Sequence, residues 1–199
     1  MTPSSPRRIC VFCGSSRGDD PAFASAAREV GQAIAARGDH LVYGGGGIGL
    51  MGIVADAVLE AGGKVIGVIP APLATREVAH ASLTELIVVE TMHERKAKMA
   101  ELADAFLALP GGFGTFDELF EILTWAQLGI HRQPVGLLNV AGYFDPLLRL
   151  VEQAIERGFV AQSHRAFLFS AESVADWFHQ LDHHRAPDLP RRWIELRDV

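Results

Sequence analysis

A doubly wound α/β sandwich, with about six to seven parallel strands and helices on both faces, is predicted by three features of this 199-residue chain. Short β-branched runs alternate with helical patterns almost from end to end. The runs are nearly all apolar, as in Val65-Ile66-Gly67-Val68-Ile69, which suits strands buried on both faces of a parallel sheet. Glycine-bearing turns follow several of them, at the carboxyl ends of the strands where this Rossmann-like fold takes its ligands.

The first strand is predicted over residues 8–13. It contains a C-x-x-C, Cys10 and Cys13, but strand residues three apart point to opposite faces. The pair therefore reads as two buried structural thiols, since a redox pair sits at a helix N-terminus and a zinc site needs two further ligands at suitable spacing. A helix over 21–37 follows, with Asp20 as its cap, Pro21 at its first position and Gly38 just past its end. A strand at 40–43 leads to a helix at 49–61. The strand at 64–69 leads instead into a long loop, 70–84, of the length used for lids and binding loops. Next come a strand at 85–90 and a helix at 92–103, then a strand at 105–109 and a helix at 116–129. A strand at 134–139, a helix at 143–157 closed by Gly158, a weaker strand at 167–169 and a helix at 173–184 complete the series. No linker or repeat interrupts it, and right-handed crossovers then give the doubly wound topology. Residues 1–199 read as one domain, with a core over about 8–182 and short tails.

Composition narrows the function. Lys and Arg number 18 against 24 Asp and Glu, a formal charge of −6. A chain so acidic is a poor general nucleic-acid binder, because affinity for phosphate backbones comes from clustered cations. No segment approaches the apolar length of a membrane helix. The first ten residues lack a signal-peptide core, which points to the cytoplasm. His179 and His183 have a helical metal-ligand spacing, yet a solvated polar face is the reading preferred for them.

Ten of the 20 glycines fall in three predicted turns: Gly14-Ser15-Ser16, the run from Gly44 to Gly52, and Pro110-Gly111-Gly112-Phe113-Gly114-Thr115. Successive amides in such a turn, leading into a helix N-terminus, make a concave site for phosphate. The second turn contains G-x-G-x-x-G (Gly44, Gly46, Gly49). The next strand ends Ile69-Pro70-Ala71-Pro72, without the carboxylate that would hold a dinucleotide ribose, which counts against NAD. No Walker sequence is present.

The third turn admits two readings. Thr115 and Glu118 have the spacing of a helix capping box, with Asp117 and Glu121 complementing the helix dipole. Alternatively, these carboxylates crowd an anion loop together with Glu77 and Arg95, both predicted just beyond strand ends. Carboxylates about one sugar's width from a phosphate can hold ribose hydroxyls, orient water and stabilise an oxocarbenium-like transition state at C1′. The Arg95 fork suits a phosphate or a nucleotide's polar edge, although a solvated helix face would also accommodate it. His93 reads equally as a cap, a surface residue or an acid.

The helix at 116–129 is apolar on more than one side: Phe116, Leu119, Phe120 and Leu123, then Ile122 and Trp125. An arc that wide is buried twice, and a twin subunit is the expected second cover.

Pro110-Gly111-Gly112-Phe113-Gly114-Thr115-Phe116-Asp117-Glu118 matches P-G-G-x-G-T-x-x-E, and Met92-His93-Glu94-Arg95-Lys96 precedes it. With Val11-Phe12-Cys13-Gly14-Ser15-Ser16 and Tyr43-Gly44-Gly45-Gly46, the chain closely resembles the Lonely guy family of cytokinin riboside 5′-monophosphate phosphoribohydrolases. The resemblance implies hydrolysis of the N-glycosidic bond of an adenine-type nucleoside 5′-monophosphate, AMP included, to free base and ribose 5-phosphate. It implies a homodimer with no cofactor and no metal. By the same resemblance Arg95 and Glu118 are the catalytic pair. Glu77, Arg95, Lys96, Gly111, Gly112, Phe113, Gly114, Thr115, Phe116, Asp117 and Thr124 form the nucleotide site, and Gly14, Ser15, Gly45 and Gly46 offer a further nucleotide loop. Two positions depart from relatives: Phe113 where Tyr is frequent, and Asp117 where Glu is common in plant members, which shortens that carboxylate's reach by a methylene. The lysine-decarboxylase label once given to the family has no physical support, since Lys64, Lys96 and Lys98 are the only lysines and none has a recognisable pyridoxal-phosphate setting. A non-catalytic nucleotide carrier or sensor on the same fold is the alternative; it would need the glycines but not Glu118.

Overall fold

The computed structural model describes residues 5–75 and 79–185. Seven parallel strands form one sheet: β1 (Arg8–Phe12), β2 (His40–Tyr43), β3 (Lys64–Pro70), β4 (Glu85–Val89), β5 (Ala105–Ala108), β6 (Val135–Leu138) and β7 (Leu168–Ala171). Their order across the sheet is β4-β3-β2-β1-β5-β6-β7. The helices are α1 (Pro21–Ala36), α2 (Gly49–Glu60), α3 (Met92–Leu102), α4 (Phe113–Gln127), α5 (Asp145–Glu156) and α6 (Val174–His183). The chain winds outward from β1 to β4, returns through α3 to place β5 beside β1, and winds out the other way to β7. The turns after β1 and β5 therefore diverge, which opens the crevice that this topology gives to ligands.

Strand alternation sorts the core into two layers. Ile9, Val11 and Cys13 pack with α1, α2 and α6, through residues such as Val30, Val54 and Trp177. Cys10 and Phe12 face the other way, toward Met99 of α3, Leu119 and Ile122 of α4 and Phe144. The two cysteines thus lie in opposite layers, both buried and free. Burial pushes both thiols above their ordinary range, and the nearby Glu118 carboxyl adds to it, so neither is primed for redox chemistry. Helix ends follow local rules. The Asp20 carboxylate accepts from the Ala22 amide at 2.8 Å, and Gly38 and Gly158 take φ of +72° and +78° past α1 and α5. His183 Nδ1 donates to the His179 carbonyl within α6. Among the described residues no cluster of three or more metal-ligating side chains occurs, and no helix is long and apolar enough to cross a membrane.

Helix α4 begins three residues before the predicted 116. Gly112 is its N-cap, extended at φ −98° and ψ −152°, and the Phe116 amide already bonds the Gly112 carbonyl at 3.1 Å. Gly114 lies inside the first turn, where its missing side chain faces open space. Of the glycines expected in the third turn, Gly114 belongs to the helix that the turn opens.

α1 crosses α2 at Gly31, where an added Cβ would lie 2.6 Å from both the Ala57 Cβ and the Val54 carbonyl oxygen. Gly31→Val is expected to destabilise the protein by about 2 kcal/mol through overpacking. Urea denaturation checks this, and an unmoved midpoint contradicts the packing described.

Candidate active site

The pocket lies over the carboxyl ends of β1, β2, β3 and β5, in a cavity of about 320 Å³. One wall is the first turn of α4. The amides of Phe113, Gly114 and Thr115 have no intrahelical acceptor, as in any first turn. These residues line the cavity with Gly112, and the helix terminus they form carries the positive end of the helix dipole. Gly14 and Ser15 form the adjoining wall, fastened because the Gly14 amide donates to the Pro110 carbonyl at 3.0 Å. Ile48, Met51, Ile69 and Leu73 make the third side apolar.

Arg95 and Glu118 meet at the base. Arg95 Nη1 lies 3.0 Å from Glu118 Oε1, with side-chain exposures of 12% and 9%. The Arg95 Nε–H donates to the Val68 carbonyl at 3.1 Å, so the arginine spans from β3 to α4. Burial drives the Glu118 carboxyl up to about 7; Arg95 counteracts this and the Asp117 charge reinforces it. A carboxyl titrating near neutrality beside a fixed guanidinium can exchange a proton with water and stabilise developing positive charge.

The capping reading of Thr115 and Glu118 does not hold. Thr115 is the third residue of α4, and Gly112 caps the helix without a side chain. A T-x-x-E that does cap lies at Thr91 and Glu94, where the Glu94 amide donates to the Thr91 hydroxyl at 3.1 Å and the Glu90 amide donates to the Glu94 carboxylate at 2.9 Å. Glu118 is thereby free for the pocket.

Other candidates fall in different places. Lys96 turns from the cavity to Asp117 and Glu121, at 3.0 and 3.1 Å. Burial alone would lower its ammonium pKa, but bonds to the two carboxylates outweigh that and raise it. Lys96 thus offsets negative charge that would repel an anion at the α4 terminus. Gly46 lines the cavity, whereas Gly45 packs behind it against Ile69 and Leu86. Gly111 sits under the loop, where the Tyr143 hydroxyl donates to its carbonyl, and Phe116 packs into the core layer of α3 and α4. Thr124 lies in a separate groove with Phe120, Leu123 and Phe167, its hydroxyl donating to the Phe120 carbonyl at 2.7 Å. Glu77 lies outside the described residues. Sequence reading missed the Val68 carbonyl, the apolar wall and Tyr143, none of which carries a local signal.

A family model described as "Possible lysine decarboxylase" matches residues 51–181. The cytokinin riboside 5′-monophosphate phosphoribohydrolase LOG of Oryza sativa subsp. japonica is 48% identical over 94% of this chain and 84% of its own. An Arabidopsis thaliana protein of the same name, LOG2, is 51% identical over 87% of this chain and 81% of its own. Among solved structures, the molybdenum cofactor binding protein of Rippkaea orientalis superposes with a TM-score of 0.68, covering 90% of this chain and 98% of its own. At 22% identity that likeness speaks to the fold alone. Identity near one half, across nearly all of the chain, is shared with the phosphoribohydrolases, and the chain belongs to the LOG family.

Proposed function

We propose that the protein hydrolyses the N-glycosidic bond of adenine-type nucleoside 5′-monophosphates, cytokinin riboside 5′-monophosphates and AMP among them. The observation that carries this is a buried carboxyl, Glu118, paired with Arg95 beside a helix terminus built for phosphate. The 5′-phosphate rests on the Phe113, Gly114 and Thr115 amides. The ribose then extends toward Glu118 and the base toward the apolar wall. As the C1′–N bond breaks, its electron pair leaves with the base. The Glu118 carboxylate supports the positive charge at C1′ and takes a proton from the water that attacks there. Arg95, always protonated, donates hydrogen bonds to the nucleotide and eases departure of the base, which gains its proton through solvent. Glu77 helps hold the nucleotide, as the family resemblance assigns it. Two free buried thiols suit a reducing compartment, and we place the protein in the cytoplasm.

We assign a homodimer to the face formed by α4 and α5. No residue of α5 is fully buried: Leu147 and Leu148 pack partly against the core, while Val151 and Ile155 line the groove beside α4. Leu150 is 57% exposed, Phe159 85% and Phe120 40%. The same patch on a second copy is the simplest cover for such a face, and it would enclose the groove that holds Thr124.

Incubation with AMP and with isopentenyladenine riboside 5′-monophosphate, followed by chromatography, is expected to yield free base from at least one. Tight binding of both without base release would instead establish the carrier reading. Glu118→Gln should retain nucleotide binding and lose at least about 100-fold in kcat; unchanged turnover would sink the role given to Glu118. Because the carboxylate is the working form, kcat/KM should fall as pH drops through about 7, and a profile flat from pH 8 to 5 contradicts this. In sedimentation, the wild type should run as a dimer and Leu150→Glu/Phe159→Glu as a folded monomer. A monomeric wild type removes the assignment.

A further inference from the structure

The proposed reaction rests the phosphate on α4 and gives the G-x-G-x-x-G turn after β2 no role of its own, yet the turn's first glycine lies against Arg95. A Cβ added at Gly44 would lie 1.8 Å from Arg95 Nη2, 2.9 Å from Cζ and 3.4 Å from Nε. The guanidinium thus occupies the space that any side chain at residue 44 would fill. We infer that Gly44 is a positioning residue for Arg95: its missing side chain is the slot that aims the guanidinium at Glu118. The inference rests on the reading of Arg95 as catalytic.

The slot has three fixed sides. Arg95 Nε–H is held by the Val68 carbonyl at 3.1 Å, and Nη1 meets Glu118 at 3.0 Å. The third side is the Gly44 backbone, which cannot readily retreat. The next residue, Gly45, takes φ +74°, its carbonyl accepts from the His80 amide at 2.9 Å, and Gly46 pairs antiparallel with Ala79. The glycine ribbon is therefore pinned from behind by the loop after β3. Leu86 and Ile69 pack against Gly45 as well.

This geometry separates stability from activity. Gly44 has no positive φ, so alanine is acceptable to the backbone, and the atom it strikes is the end of a flexible side chain. A methyl group at residue 44 should move the arginine and leave the fold intact. Displacement of a catalytic group by about 1 Å can cost 100-fold in rate.

The test is Gly44→Ala, assayed for base release from the nucleotide that the wild type cleaves. The expected result is an unchanged urea midpoint, a kcat lowered about 100-fold and a smaller change in KM. In an Arg95→Ala background, where no guanidinium remains to be displaced, the same substitution should cost less than about twofold further. A crystal structure of Gly44→Ala should show Arg95 parted from Glu118. Wild-type kcat in Gly44→Ala, or an equal further loss in the Arg95→Ala background, overturns the inference. If the wild type itself releases no base, the proposed function fails. The position of Arg95 in the variant crystal then still decides whether the slot exists.

Discussion

The burial of one ion pair, Arg95 with Glu118, constrains most of the architecture around it. A carboxylate and a guanidinium withdrawn from water lose several kcal/mol of hydration each, and recover it only with close geometry and further hydrogen bonds. Here the recovery is incomplete, which is why the Glu118 carboxyl sits near 7 and not in the ordinary carboxylate range. The same incompleteness makes it useful: a group that is nearly indifferent to its proton at neutral pH can accept one from water during reaction. Removing either partner would strand the other, so the pair is also a structural joint between α3 and α4.

Glycine makes room for that joint. The crevice between β1 and β5 follows from strand order, but its floor depends on backbones approaching more closely than side chains would permit. A Cβ at Gly111 would lie 2.1 Å from the Thr115 hydroxyl, and one at Gly49 would lie 2.2 Å from the Ser15 carbonyl carbon. The first contact lets the loop fold over the α4 terminus, and the second seats the turn after β1 against α2. The glycine excess therefore reflects three turns packed against one another, with the amides proposed to hold phosphate at one end only.

Much of this was legible in the sequence, and the rest was hidden for physical reasons. Apolar runs such as Val65 to Ile69 disclosed the strands because a parallel sheet buries both faces, and alternation alone sent Cys10 and Cys13 into opposite layers. Periodicity could not locate the start of α4, because glycines near a helix N-terminus look the same whether they precede the helix or open it. The T-x-x-E of Thr115 and Glu118 reads as a capping box, but the structure caps α4 with Gly112 and places a capping T-x-x-E at Thr91 and Glu94. The Lys96 pairing with Asp117 and Glu121, and the space Gly44 leaves for Arg95, are contacts between distant segments that no local pattern announces.

The central claim is a geometry: phosphate on the α4 terminus and C1′ before Glu118. A crystal structure of Glu118→Gln soaked with AMP tests it most directly. The account predicts phosphate oxygens within hydrogen-bond distance of the Phe113, Gly114 and Thr115 amides, C1′ facing residue 118 with room for one water between, and Arg95 against the nucleotide. A phosphate bound elsewhere along the cleft, or a ribose whose C1′ turns away from residue 118, would contradict it.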